Sequence, residues 1–203
     1  MWLWTTQKMA TYVNMKLKGE PCFYIRNKET REIEASDGRF YGSLVGIEAK
    51  EPTENKDFWT MNMEFIDKEE ERYIVSTSFN NVSTSLLNCF AWGMDAKSNF
   101  KDLWLGLYLK NDFPQISVFQ DWKMMSWRYQ IDELRAKTKK VRVNWKDTTD
   151  REELDKFLRE LIIEINDYLQ WLNTIDWSEV DFKKDTFIEP VVEDENVDDF
   201  PPF

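Results

Sequence analysis

The sequence predicts a mainly β protein: a small five-stranded Greek-key barrel, a long C-terminal helix and an acidic tail. Three observations lead there. Short segments between residues 39 and 120 alternate apolar and polar side chains, the period of a half-buried strand. One apolar stretch among them breaks that period in favour of a short helix. From about residue 150 the apolar spacing becomes helical, and past residue 176 the chain turns acidic and loses periodicity.

The elements follow in order. Thr11 to Lys18 and Cys22 to Arg26 are candidate strands around the Gly19-Glu20-Pro21 turn. Residues 39–50 form the first barrel strand, with Gly42 and Gly46 suited to a sharp bend. Residues 57–66 alternate, with Trp59, Met61, Met63 and Phe65 on one face, and an acidic turn joins them to a strand over 72–79. Ser83 or Ser85 caps a short helix through Trp92, with Gly93 as its stop. Strands resume at 102–110, where Leu103, Leu105, Leu107 and Leu109 face inward and Trp104, Gly106, Tyr108 and Lys110 outward, and at 115–120. Three strands, a short helix and two more strands make the oligonucleotide/oligosaccharide-binding arrangement, the OB-fold. The domain reading is therefore 1–148 for the OB-like body, 149–174 for a helix packed on the barrel or at an interface, and 175–203 for the tail. The helical stripe runs from Leu154 to Leu172.

Composition narrows the chemistry. The chain of 203 residues has no histidine and two cysteines, Cys22 and Cys89, which rules out a His-based catalytic relay and leaves too few ligands for a Cys/His zinc site. No glycine loop for phosphates accompanies the carboxylates. The expectation is a non-enzyme with no catalytic residue, metal or cofactor. The N-terminus turns polar after four residues, and no apolar run reaches membrane-spanning length. The reading is a cytoplasmic protein that does not enter a membrane and is open to self-association through the helical stripe.

The net charge of −11 is unevenly placed. Residues 1–150 carry 22 basic and 22 acidic side chains, whereas residues 176–203 carry 2 and 10. Within the neutral body, residues 135–146 hold six cations, no acid and one Trp. Lysines and arginines interleaved with aromatics suit a phosphate backbone with unstacked bases, and equally an ordinary solvated edge strand or hairpin. Fifteen per cent of the chain is aromatic, ten residues being Trp. The candidate nucleic-acid-binding residues are Arg39, Tyr41, Trp104, Tyr108, Lys110, Trp122, Lys123, Lys137, Lys139, Lys140, Arg142 and Trp145. Trp127, Arg128 and Tyr129 show the same pairing of ring and cation. Oligosaccharide binding uses similar rings, and a C-terminal helix laid over the 102–110 strand would make them core instead.

The tail ends Asp198-Asp199-Phe200-Pro201-Pro202-Phe203. An acidic arm is drawn to basic surfaces, and a terminal Phe fills an apolar pocket while its carboxylate meets a cation. This tip resembles that of the bacterial and phage single-stranded DNA-binding protein family, with Asp198, Asp199, Pro202 and Phe203 matching and Phe200 and Pro201 as variations. The resemblance covers about the last ten residues. It implies an OB-fold body that coats single-stranded DNA without strong sequence preference. It also implies that the tip recruits replication, recombination and repair proteins. The helix after the barrel departs from the Gly/Gln/Pro-rich linker usual in that family, so the resemblance is to a divergent member. The alternative is a non-enzymatic protein-interaction module or DNA mimic with an acidic tail.

Overall fold

The computed structural model describes residues 10–27, 29–54, 58–143 and 146–175. The order is β1 (Thr11–Lys16), β2 (Cys22–Arg26), β3 (Ile33–Asp37), β4 (Arg39–Lys50), β5 (Thr60–Ile66), β6 (Arg72–Ser78), α1 (Asn81–Asp95), β7 (Leu103–Lys110), β8 (Phe113–Gln120), β9 (Lys123–Met124), α2 (Ile131–Arg135), β10 (Lys139–Val143), β11 (Lys146–Asp150) and α3 (Glu152–Leu172). The protein is mainly β, and nine strands form one curled sheet, a half-barrel. Their order is β3-β2-β1-β6-β5-β4-β7-β8-β9, and β10 and β11 make a separate hairpin.

The five expected strands are β4 to β8, and they lie together as β6-β5-β4-β7-β8. The twelve-residue β4 serves both sides: its start, Arg39–Gly42, pairs with β7, and Ser43–Lys50 pairs with β5. It bends between these halves, with a bulge between Leu44 and Gly46. At Gly42 a Cβ would lie 3.1 Å from the Cβ of Phe65, so glycine lets the two strands close together there. The sheet then goes beyond the five strands expected. The open edge of β6 takes β1 in parallel, Thr11 against Tyr73 through Asn14 against Ser76. The edge of β8 takes β9. The N-terminal meander thus fills the place beside β6 that a closed five-stranded barrel would give to β8, and no edge of β6 is left bare.

The concave side holds α1. Leu86, Leu87 and Phe90 are fully buried with Met61, Met63 and Phe65 of β5, Leu103 and Leu105 of β7 and Val118 of β8. Leu109, expected to complete the inward leucine row, is 45% exposed because it lies past the core at the end of β7. Asn80 rather than Ser83 or Ser85 caps α1, its side-chain oxygen accepting from the Val82 and Ser83 amides while the Ser83 hydroxyl accepts from Asn80 N–H. Gly93 does not stop α1 but lies inside it, because the Phe100 ring occupies its Cβ position at 2.7 Å. The buried Asn88 is satisfied by the 128–129 segment, donating to Tyr129 C=O and accepting from Tyr129 N–H, both at 2.8 Å.

Helix α3 begins two residues after Asp150, since Thr149 and Asp150 belong to β11. Its stripe Leu154, Leu158, Leu161, Ile165, Leu169 and Leu172 is buried within the chain against α1 and β4. Asn166 ties the helix to the β4 bulge, accepting from Ile47 N–H at 2.9 Å and donating to Ile47 C=O at 2.7 Å.

Burial pushes the Cys89 thiol up to about 12, a contact with Trp127 pulling slightly the other way. Burial, first among its causes, also raises Tyr73, Tyr129 and Tyr168. The unfolded chain releases these protons near their ordinary values, 9 for the thiol and 10 for the phenols. The native state holds them to higher pH, so the stability they contribute is full below about pH 9 and falls as pH rises towards 12. The urea midpoint is accordingly lower at about pH 10.5 than at about pH 8, and a thiol reagent at pH 8 modifies Cys89 only after unfolding. An unchanged midpoint, or prompt Cys89 labelling in the native protein, would contradict this burial.

Candidate functional site

The outward face of β4, β7, β8 and β9 carries a cross-strand row of apolar side chains. Tyr41 is the register partner of Trp104, Trp104 of Phe119, and Phe119 of Met124. Strand alternation explains the row: Leu103 and Leu105, Ile116 and Val118 point into the core, so Trp104 and Phe119 point out. The Trp104 and Phe119 rings stack at 4.4 Å and 22°, and Tyr41 lies nearly parallel to Trp104 at 6.3 Å and 10°. The guanidinium of Arg39 sits 5.3 Å from the Trp104 ring centre. The indole also lies about 4.0 Å from where Gly106 would carry a Cβ, so it covers the glycine beside it. Its Nε1 is buried and without a hydrogen-bond partner.

Trp104 is thus wedged between rings, and the open aromatic surface belongs to its neighbours. Tyr41 is 58% exposed and Met124 is 58% exposed. Trp122, on the β8–β9 turn, is 91% exposed. Asp121 and Trp122 both have positive φ, 50° and 65°, the geometry of the tight turn favoured by the sheet's twist. Tyr41, Trp104, Phe119 and Trp122 line a hollow of about 590 Å³. Helix α3 packs on α1 and β4 and leaves these rings uncovered.

The rim of this hollow is acidic. Asp67, Glu69, Asp102 and Asp121 line it beside Lys68, the one cation among its described walls, which approaches Asp102 at 3.8 Å. Asp67 is partly committed, since its carboxylate accepts from the Glu69 and Glu71 amides at 2.8 and 2.9 Å and closes the β5–β6 turn.

The structure brings Arg39, Tyr41, Trp104 and Trp122 together and adds Phe119, which the sequence reading passed over. Tyr108 shares the outward face further along β7, 43% exposed opposite Gln115, with Lys110 at the strand end opposite Phe113. Lys123 is exposed on β9. The basic run lies on α2 and the β10–β11 hairpin, and none of Lys137, Lys139, Lys140 or Arg142 is among the described walls of the aromatic hollow. Lys137 sits 4.4 Å from the Phe157 ring centre, and Lys139 pairs with Glu153 at 2.6 Å, which raises the lysine's pKa. Arg142 is the register partner of Asp147. Arg128, for which the sequence suggested a binding role, ties α1 to α3 through Asp95 at 3.1 Å and Glu164 at 2.7 Å. Trp145 and the tip Asp198–Phe203 lie outside the described residues.

Among the described residues, no helix is long and apolar enough to cross a membrane, and no group of three or more His, Cys, Asp or Glu side chains is placed to hold a metal ion. The chain matches no protein-family model, no curated protein and no solved structure.

Proposed function

We propose that this chain binds single-stranded nucleic acid, DNA in the first instance, through the outward aromatic row. The observation that carries the reading is the stacked ladder Tyr41–Trp104–Phe119 with Arg39 on its flank and Trp122 lining the same hollow. Each exposed ring offers a base a face to stack on, worth roughly 1–3 kcal/mol per base and largely indifferent to sequence. The side-by-side run β6-β5-β4-β7-β8, with a long first strand and a helix between the third and fourth, supports the reading, since an OB-fold opened at its closing seam would have that order. Arg39, Lys110 and Lys123 supply cations along the same sheet. The tip Asp198–Phe203 then acts as the hook for replication, recombination or repair proteins, and it is not needed for holding the strand.

The test is the anisotropy of a labelled oligo(dT) with the full chain at rising salt. Binding weakens steeply with salt as condensed counterions are no longer released, and deletion of residues 194–203 leaves it intact or tighter. No binding, or a flat salt response, would overturn the reading. The acidic rim favours a second reading, a protein-interaction surface that takes a Lys- or Arg-rich segment of a partner between the rings. In that case a basic peptide binds and oligo(dT) does not.

A further inference from the structure

The run of cations at 135–146 does not act as one strip. Neighbouring residues of a strand face opposite ways, so Lys139 and Lys140 part company. Lys139 turns towards Glu153. Lys140, beside its register partner Thr149, lines a second hollow of about 530 Å³ together with Arg135 and Arg151. No carboxylate is among the described walls of this hollow, the reverse of the aromatic one.

Arg151 lines it as well: the edge of its guanidinium formed by Nε and Nη2 is buried, with Nε 3.7 Å from Oδ1 of Asp155, while the rest of the side chain stays partly open. Arg135 reaches the hollow from the end of α2, with Asp132 3.7 Å from its guanidinium. Thr84 and Thr138 also line the hollow, but their hydroxyls donate to the Asn80 and Arg135 carbonyls, which leaves Thr149 as the hydroxyl donor. Asn81, the first residue of α1, completes the wall with the positive end of a fifteen-residue helix.

We propose that this hollow is a phosphate site. Two guanidinium groups, one ammonium and a hydroxyl surround it, a donor set suited to the anionic oxygens of a tetrahedral phosphate. The phosphate comes either from solution, as inorganic phosphate, or from the backbone of a bound single strand, and only the second source rests on the proposed function.

The probe is inorganic phosphate at about 10 mM against sodium chloride at equal ionic strength, read as the thermal midpoint of the full chain. Phosphate raises the midpoint by roughly 2–4 °C. The rise is lost in Lys140→Glu and kept in Lys139→Gln, whose side chain faces away. Equal midpoints in the two salts overturn the site. So does a rise that survives in Lys140→Glu, which would be the general effect of phosphate on protein hydration. Phosphorus-31 line broadening then separates the sources. If excess oligo(dT) abolishes the broadening, the backbone occupies the site; if oligo(dT) binds and the broadening stays, the ligand is free phosphate. If oligo(dT) fails to bind at all, the proposed function falls and the phosphate site stands.

Discussion

Trp122→Ala lowers the affinity for oligo(dT) roughly 5- to 150-fold, the equivalent of one lost stacking partner. Folding stability changes by no more than about 0.5 kcal/mol. The separation of the two effects follows from position. Trp122 is 91% exposed on a two-residue turn and carries almost no core contact. Yet it lines the same hollow as Tyr41, Trp104 and Phe119, where a base would meet its ring beside theirs. Trp104→Ala is a less clean probe, because that ring is wedged between Tyr41 and Phe119 and its removal loosens the whole ladder. Anisotropy titrations of the two chains, with urea unfolding alongside, check the prediction. Equal affinities would remove Trp122 from the binding surface.

Phe100→Ala costs about 3–5 kcal/mol of folding stability, a large share of the roughly 5–15 kcal/mol that holds a domain together. Phe100 is fully buried and packs edge-on against Phe90 of α1 at 5.9 Å and Tyr168 of α3 at 5.8 Å. Its ring fills the space that the missing Gly93 side chain leaves, and its carbonyl accepts from Leu44 N–H at 3.0 Å. One side chain therefore pins both helices close to the bend in β4. Truncating it opens a cavity between elements that are all anchored elsewhere, so collapse is limited. A loss below about 1 kcal/mol in urea unfolding would show that the helices do not depend on this pin.

Much of the body was legible because its signals are local. Alternation in β5 and β7 and the helical spacing in α3 reflect which side chains meet the core, and each is decided within a dozen residues. The unexpected parts rest on partners distant in sequence or on weak patterns. All five residues of β3 are exposed, so no alternation marks it. The parallel joining of β1 to β6 depends on residues some sixty positions apart. Gly93 looks like a helix stop until Phe100 is known to lie against it. The site divides in the same way. Trp104 could be picked out as an outward residue and Arg39 with Tyr41 as a pairing of cation and ring, but only strand register shows that Tyr41 and Trp104 are neighbours. Phe119 carried a usable sign, since it lies opposite in phase to the inward Ile116 and Val118. The basic run looked uniform because composition does not record that Lys139 and Lys140 sit on opposite faces.

The open aromatic row as a base-stacking surface is tested most directly by intrinsic fluorescence of the full chain titrated with oligo(dT). A base stacked on an indole quenches it, so the emission falls to a saturable plateau, and the fall is clearly smaller in Trp122→Phe. Emission that oligo(dT) leaves unchanged, or quenching of equal depth in the Trp122→Phe protein, would contradict the assignment of this face to nucleic acid.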